Sequence, residues 1–400
     1  MALLPVAEAL ARILDGVTPL EAESVDLLQA RGRVLAGDVV AKLTQPPFDA
    51  SAMDGYAVRA GDITKVPAAL AVTGESQAGR RFDGTVAAAE AVRIFTGAAV
   101  PEGADTVVIQ ENTERSGDRL TVLEAPKPGA NIRTVGGDFT AGKMVLAAGH
   151  TLDAGAITLA AAAGHARLPV RRKPLVAILA TGDELIEPGS GAPGPDQIVS
   201  SNPYGLAALI ERAGGAARLL GIAGDTREAL GAKLGAATGA DILVTIGGAS
   251  VGDRDLVRPV LEARGLTLDF WKIAMRPGKP MLFGRLEGMR VLGLPGNPNS
   301  CLVTARVFLV PLIHRLLGRA EAPAAERTAV LAADLDANGP RQHYMLAVTE
   351  PGSPPRVRAL PSQDSGRIST LVAANVMIVR PPDAPPAAAG SAVEILPIDF

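Results

Sequence analysis

Apolar runs that end in glycine are the feature that most constrains this fold. The clearest run covers residues 242–246 and breaks at once into Gly247 and Gly248. A short apolar run with such an ending is typical of a buried parallel strand that feeds a tight turn. This pattern, alternating with segments of helical spacing, recurs at residues 175–180, 217–222 and 291–294. The alternation predicts βαβ units and a doubly wound α/β sheet.

The chain is too long for one ordinary domain, since 400 residues suggest two to four. Residues 56–137 alternate short apolar runs with glycine-rich turns, which predicts a small β domain. The segment after a linker at residues 321–326 predicts a second small β domain. Helices are predicted at residues 3–15, 25–30, 153–164, 204–213, 227–237 and 301–317, and a further strand at residues 34–40.

Composition excludes several classes of partner and site. A net charge of −3 argues against a nucleic-acid-binding protein. The single cysteine, Cys301, excludes an intramolecular disulfide and a cysteine-based zinc site. No apolar run is long enough to span a membrane, and the N-terminus lacks the basic start of a signal peptide. We therefore expect a cytoplasmic protein without membrane or nucleic-acid partners.

Three carboxylates follow predicted strands of the α/β sheet: Glu184, Asp225 and Asp255. The carboxyl ends of such strands gather at one edge, where ligands bind in this class of fold. Oxygen ligands of this kind suit Mg²⁺ bound to phosphates. A surface ion-pair cluster is the structural alternative, and Asp225 alone could be a helix cap.

Three cations lie close together further along the chain, and we call them the cation strip: Lys272, Arg276 and Lys279. Lys272 and Arg276 share a face if the segment is helical, and do so less well if it is a strand. Residues 295–300 then form a rigid proline-rich turn before a helix, with Ser300 as a candidate cap. Cations and anion-cradling turns beside carboxylates indicate a site for a phosphorylated ligand with a metal.

Two further groups of residues are ambiguous from the sequence. Asp54 and Thr96 lie at strand ends, where position alone favours a turn cap and a strand end. Arg133 and Asp138 lie in a glycine-rich segment that is either a ligand loop or a solvated connection. Other chemistries lose support because the chain has no P-loop, no G-x-G-x-x-G after a strand and no G-x-S-x-G.

Six segments together resemble the molybdopterin molybdenumtransferase family, the MoeA-like molybdenum insertases related to the E domain of gephyrin. In chain order they are PPFDASAMDGYAV, IFTGAAVPEGADTVV, LATGDEL, GGASVGDRD, WKIAMRPGKP and LPGNPNS. The resemblance runs over most of the chain. It implies insertion of molybdenum from molybdate into adenylylated molybdopterin, with Mg²⁺ taking part and AMP released.

The resemblance also implies roles for particular residues. Metal binding falls to Glu184, Asp225 and Asp255. Catalytic roles fall to those three and to Asp54, Thr96, Lys272, Arg276 and Lys279. Substrate binding falls to Arg133, Asp138, Gly248, Ser250, Gly252, Pro298 and Ser300, and Ser365 or Ser369 of the C-terminal region would reach the same site.

The chain departs from the family pattern in two places. Arg276 stands where lysine is also seen, which keeps the charge and changes the geometry. The loop at residues 133–135 carries one basic residue where some relatives carry more, which weakens the case for a strongly cationic molybdate entrance there.

The implied architecture has four domains. A discontinuous N-terminal domain, helical and mixed, comprises residues 1–44 and 138–172. An inserted β domain follows at 45–137, then a MogA-like molybdopterin-binding α/β domain at 173–320 and a C-terminal β domain at 325–400. The family also implies an elongated homodimer whose site lies between the two chains. Transient contact with a molybdopterin adenylyltransferase is a further candidate interaction that the sequence leaves open.

Three rival functions stay open at this point. A molybdopterin adenylyltransferase would share the α/β domain and lack the two β domains. A non-enzymatic molybdopterin-binding scaffold would keep the fold without turnover. A generic nucleotide-binding α/β protein is the least specific alternative. The preference for molybdate over tungstate is not encoded in these motifs.

Overall fold

The computed structural model describes residues 3–248, 256–319 and 328–398. Its first elements are α1 (Val6–Leu14), β1 (Ala22–Asp26) and β2 (Val39–Val40). The predicted helix at 25–30 is wrong: Val25 lies in β1, and only a 3-10 turn at Leu27–Gln29 follows. The strand predicted at 34–40 is shorter than expected and is confined to β2. Val34 and Leu35 make only isolated bridges and do not belong to a strand.

A six-stranded sheet occupies the inserted region, and the predicted small β domain is confirmed. Its hydrogen-bonded order is β7-β4-β6-β5-β9-β8, and two short strands, β3 and β10, pair beside it. The strands are β3 (Ala50–Ser51), β4 (Gly55–Val58), β5 (Ala68–Ser76), β6 (Glu90–Ile94), β7 (Thr106–Ile109), β8 (Thr113–Ser116), β9 (Arg119–Val122) and β10 (Ile132–Arg133); 3-10 turns lie at Ala60–Asp62 and Gln110–Asn112.

The chain then returns to the elements that precede the inserted sheet. The returning elements are β11 (Met144–Leu146), α2 (Ala154–Ala162) and β12 (Arg167–Arg171). Antiparallel pairing joins β12 to β1 and β11 to β2. Segments from both sides of the inserted sheet therefore pack as one unit around a shared apolar cluster.

The central region contains a second six-stranded sheet with the order β16-β13-β17-β21-β20-β18. Its elements are β13 (Leu175–Thr181), β14 (Leu185–Ile186), β15 (Ile198–Val199), α3 (Asn202–Arg212), β16 (Ala216–Ala223), α4 (Arg227–Gly235), β17 (Ile242–Ile246), α5 (Val257–Ala263), β18 (Thr267–Trp271), β19 (Met275–Arg276), β20 (Leu282–Leu286), β21 (Met289–Leu294), α6 (Pro298–Thr304) and α7 (Val310–Leu316). A π-helical segment, Ala305–Leu309, joins α6 to α7 within the predicted helix.

Both faces of this sheet are covered by helices, as expected for a doubly wound fold. Side chains alternate along β13: Val176 and Ile178 join the apolar cluster of α1, α3, α6 and α7, whereas Ala177 and Leu179 join that of α4 and α5. The four predicted strands pair in parallel. The sequence did not predict β18 and β20, which extend the sheet by antiparallel pairing.

The C-terminal region forms a third sheet, which also confirms the predicted β domain. Strands β24, β22, β26 and β25 follow β23 in order, and β25 pairs back onto β23, so these five strands close a ring. The elements are β22 (Thr328–Leu331), β23 (Gln342–Glu350), β24 (Arg356–Ala359), α8 (Ile368–Ala373), β25 (Val376–Arg380) and β26 (Ala392–Pro397). Strand β19, which follows β18 in the chain, pairs in parallel with β23 and so attaches the central region to the third sheet.

Among the described residues, no helix combines the length and the apolar character needed to cross a membrane.

Replacing Leu179 by alanine should lower the free energy of unfolding by about 2–5 kcal/mol. Leu179 is fully buried in the layer between the central sheet and helices α4 and α5, and the substitution would leave a cavity there. Urea unfolding measures the effect. Leu28→Ala is the matched control, because Leu28 is 97% exposed and its loss should cost less than about 0.5 kcal/mol. Equal unfolding curves for the two variants would contradict this layer arrangement.

Candidate functional site

The carboxyl ends of the central strands meet at one edge of the sheet. A single row of paired residues crosses it: Leu179, Thr245, Gly293, Leu282 and Trp271. Strand β18 runs in the same direction as β21, because each is antiparallel to β20. The loop that follows Trp271 therefore leaves the sheet at the same edge as the turns after β13, β17 and β21.

Glycine is required in the turn after β17. Gly247 and Gly248 have φ of +87° and +62°, a conformation that other residues rarely adopt. A Cβ on Gly247 would lie 2.8 Å from the Thr181 carbonyl oxygen, and one on Gly248 would clash with Val257. The turn is thus pressed against both β13 and α5. Its packing accounts for Gly248 independently of any ligand.

The loops after β13 and β16 are joined at their starts. The backbone N–H of Asp225 donates to Oδ1 of Asp183 at 2.9 Å. This bond joins the loop of Asp225 to the loop of Glu184, and both side chains are exposed. The helix-cap alternative for Asp225 is wrong, since the cap of α4 is Thr226, whose hydroxyl accepts from the Ala229 N–H.

The third predicted metal ligand cannot be placed. Asp255, Ser250 and Gly252 lie outside the described residues. Within the described part of the chain, no three His, Cys, Asp or Glu side chains are grouped so as to hold a metal ion. The structure thus brings two of the three predicted ligands to adjoining loops at the sheet edge.

The cation strip forms a loop with two arms rather than a helix. The Lys272 N–H donates to the Met281 carbonyl at 3.0 Å, and the Ile273 N–H donates to the Lys279 carbonyl at 3.0 Å. Lys272 and Lys279 are therefore on facing arms. Lys272 has φ of +78°, and its Nζ lies 4.4 Å from the centre of the Trp271 ring. The helical face considered for Lys272 and Arg276 does not exist.

The tip of this loop is fastened to the C-terminal ring of strands. Arg276 lies in β19 and pairs with His343 of β23. His343 is 6% exposed. Burial, together with the positive charges of Arg276, Arg341 and Arg380, lowers the pKa of His343 to about 4. A neutral imidazole therefore stands behind the exposed Arg276 side chain at neutral pH.

The proline-rich turn contacts the glycine turn on one side. A Cβ on Gly296 would lie 3.9 Å from the Gly247 Cα, and the Gly296 carbonyl accepts from Asn202 Nδ2 at 2.6 Å. Pro298 is the first residue of α6, and Asn297 occupies the N-cap position. Ser300 is therefore not the cap. It lies inside the helix and is 5% exposed.

On its other side, the proline-rich turn is clasped by the C-terminal region. Asn297 Nδ2 donates to Ser365 Oγ at 3.0 Å, and the Asn299 N–H donates to the Ser365 carbonyl at 3.0 Å. Asn299 Nδ2 also donates to the Asp364 carbonyl at 2.8 Å. Ser365 thus contacts the proline-rich turn, whereas Ser369 is an exposed residue of α8; a role for either in the site stays a prediction. The roles of Asn297 and Asn299 were missed.

Asp54 and Thr96 meet within the inserted sheet. Asp54 Oδ1 accepts from the Thr96 N–H at 2.7 Å and from its hydroxyl at 2.8 Å. These bonds, with the nearby charge of Arg93, lower the pKa of Asp54. Asp54 therefore caps the turn at Thr96, as the turn-cap interpretation predicts. The Thr96 residue is exposed.

Arg133 and Asp138 lie on the connection after the inserted sheet. Arg133 is an exposed residue of β10 and pairs with Ala50 of β3. The Asp138 N–H donates to the Gln45 carbonyl at 3.1 Å, and the Asp138 side chain is exposed. The partners that the structure shows for these two residues lie in their own part of the chain.

Three family models match consecutive parts of the chain. They describe the "MoeA N-terminal region (domain I and II)" over residues 4–164, a "probable molybdopterin binding domain" over 177–315 and the "MoeA C-terminal region (domain IV)" over 328–398. A molybdopterin molybdenumtransferase of a Nostoc species is 39% identical over 372 residues, which is 90% of this chain and 85% of the relative. The chain belongs to the molybdopterin molybdenumtransferase family.

Further relatives of this family agree over nearly full length. A molybdopterin molybdenumtransferase 2 of Mycobacterium tuberculosis is 37% identical and covers 93% of this chain and 94% of its own. A crystal structure titled as the molybdopterin biosynthesis MoeA protein of Pyrococcus horikoshii superposes with a TM-score of 0.85 at 31% identity, covering 98% of this chain and 99% of that one. The expected multidomain α/β fold is thereby confirmed.

In this member of the molybdenumtransferase family, the edge combines groups suited to a phosphorylated ligand. Backbone turns without side-chain bulk lie beside exposed carboxylates, and an exposed cation loop leaves the same edge. Glycine turns allow phosphate to approach the backbone, carboxylates bind hard cations, and lysine or arginine offsets phosphoryl charge. No single one of these features would be specific.

Acidification should destabilise this protein partly through His343. The folded-state pKa of about 4 lies below the ordinary value of 6.5, so the unfolded chain binds more protons between those values. This contribution is complete above about pH 6.5 and is lost as the pH falls towards 4. Between about pH 7 and pH 4.5, the midpoint temperature of thermal unfolding should fall less steeply in His343→Gln than in the wild type. The exposed His150→Gln should keep the wild-type slope; an unchanged slope in His343→Gln would contradict the assignment.

Proposed function

We propose that this protein transfers molybdenum from molybdate to adenylylated molybdopterin. The pyrophosphate link of the adenylate is cleaved in this reaction, AMP leaves, and molybdenum cofactor is formed. The observation that carries the proposal is the shared sheet edge, where the glycine turns, the Glu184–Asp225 pair of loops and the cation loop converge. Family membership over almost the whole chain supports the same reaction.

Magnesium fits the donors that the edge presents. The carboxylates of Glu184 and Asp225 are exposed oxygen ligands on adjoining loops, which is the chemistry that Mg²⁺ prefers. We assign Mg²⁺ binding to these two residues and to Asp255. Bound Mg²⁺ would polarise the pyrophosphate link and offset charge that develops on its oxygens.

The protein's own groups bind and neutralise the substrates. Lys272, Arg276 and Lys279 offset the repulsion between the molybdate anion and the substrate phosphates. Arg276 is held for this task by its strand pairing with β23, and Lys272 by the two-armed loop. The pterin side is assigned to Gly248, Ser250, Gly252, Pro298 and Ser300. The buried position of Ser300 suits a backbone or positioning role better than a direct side-chain contact.

A homodimer would complete the site. Asp54, Thr96, Arg133 and Asp138 have their partners within the inserted region of their own chain. We assign them to the site of a second chain in an elongated dimer, where they would face that chain's cation loop. Transient docking of an adenylyltransferase would deliver the adenylylated substrate directly. This contact and the cytoplasmic location stay predictions.

Removing a proposed metal ligand should abolish turnover without unfolding the chain. Glu184→Gln and Asp255→Asn should each reduce AMP release from adenylylated molybdopterin at least about a hundredfold, the loss expected when transition-state charge is left uncompensated. Asp196→Asn is the control, because this exposed carboxylate lies on the next connection along the chain, between β14 and β15, and has no assigned role. Near-normal release by Glu184→Gln or Asp255→Asn would contradict its role. If the wild type binds adenylylated molybdopterin but releases no AMP, the result would favour the scaffold function.

Mixed dimers test whether the site spans two chains. Asp54→Ala and Lys279→Ala should each be inactive alone, since every site of either homodimer lacks one group. A mixed dimer formed by co-expression should recover up to about half of the wild-type activity per dimer, because one of its two sites is intact. No recovery in a purified mixed dimer, which carries one tag per chain, would place both residues in a site within a single chain.

A further inference from the structure

A cavity lies at the opposite end of the central sheet from the candidate site. Its volume is about 700 Å³, within the usual range for small-molecule sites. It lies beside residues 237–241 and 286–290, at the amino ends of β17 and β21. The five residues of β17 separate it from the glycine turn by roughly 15 Å. It therefore belongs to neither the carboxylate loops nor the cation loop.

Arginines with few acidic partners stand at this cavity. Arg290 lines it, and the neighbouring strand places Arg285 directly opposite Arg290. Both guanidinium groups donate to one acceptor, the Asp15 carbonyl, at 3.1 and 3.2 Å. The Nε of Arg290 is buried and has no hydrogen-bond partner among the described residues. Burial and the charge of Arg285 both lower the pKa of Arg290.

A third arginine, Arg264, lines the same cavity. Its guanidinium group donates to a backbone carbonyl, that of Gly231, at 2.6 Å. Backbone carbonyls accept hydrogen bonds but do not neutralise a guanidinium charge. The cavity wall thus presents two cations, with Arg285 beside one of them.

The carboxylates near the cavity compensate this charge only weakly. Asp15 is 3.7 Å from Arg285, and its side chain is 78% exposed, so water screens it. Asp241 is occupied, because both its oxygens accept from Arg172 and one also accepts from the Leu175 N–H. Glu287 is exposed at the turn between β20 and β21. Since Asp241 is engaged by Arg172 and water screens Asp15 and Glu287, an anion in the cavity would meet the guanidinium groups of Arg264 and Arg290 with little competition.

Apolar side chains form another part of the wall, which also includes Thr18 and Thr238. The apolar side chains come from four different segments, which are brought together only by the fold: Leu20, Leu234, Leu286, Met289 and Leu316. A ligand for this cavity therefore needs an anionic group and an apolar body.

We propose that this cavity binds a small organic phosphate, with the phosphate between Arg264 and Arg290 and the apolar body against the leucine wall. Arginine suits phosphate because its planar donors form paired hydrogen bonds. The site is separate from the proposed molybdopterin site and does not depend on the proposed reaction.

Calorimetric titration of the full chain with phenyl phosphate, to about 10 mM, tests this proposal. The wild type should show saturable binding that weakens with salt. Arg290→Ala and Arg264→Ala should each weaken it about tenfold, the loss of one charge-assisted contact. Arg264 is exposed, so its variant decides the result if Arg290→Ala proves unstable.

Two control variants locate the binding. Lys279→Ala changes the candidate site at the other edge, and Arg358→Ala removes an exposed arginine of the C-terminal sheet that pairs with Glu350. Arg358→Ala should bind phenyl phosphate as the wild type does, and Lys279→Ala should keep the binding event that Arg264→Ala weakens, because that event belongs to the other end of the sheet. Absence of saturable binding in the wild type, or weakening by Lys279→Ala with Arg264→Ala unaffected, would overturn the proposal.

Discussion

The shared register of the central sheet is the constraint on which the candidate site depends. One row of paired residues runs from Leu179 through Thr245 and Gly293 to Trp271. This row brings four connecting loops to the same edge, although more than ninety residues separate the first of them from the last. A slip of one residue in any strand would turn its side chains to the other face and misplace the following loop. Burial of both faces by helices prevents such a slip.

The C-terminal ring of strands holds two of these loops in place. Pairing of β19 with β23 fixes the tip of the cation loop, and the Asn297 and Asn299 bonds to residues 364–365 fix the proline-rich turn. Buried His343 stays neutral behind Arg276, so it adds no repulsion to the cation loop at neutral pH. The site is thus a property of the central and C-terminal regions together.

Local patterns in the sequence predicted the parallel strands because fully buried strands consist of apolar runs. Strands β18 and β20 were missed, since β18 mixes exposed Thr267 and Asp269 with buried Phe270. The clasp by Ser365 and the Asp54–Thr96 pair depend on contacts across 68 and 42 positions, which no local pattern contains. The residues of the glycine turns were predictable, whereas their reason, a close approach to Thr181 and Val257, required coordinates.

The most direct test of the central claim is AMP release from adenylylated molybdopterin by the purified full chain, with molybdate and Mg²⁺ each omitted in turn. If the sheet edge joins metal ligands and an oxyanion-binding cation loop, release should require both and should collapse when either is absent. Release that proceeds unchanged without molybdate would contradict the account, since the two parts of the edge would then not act in one reaction.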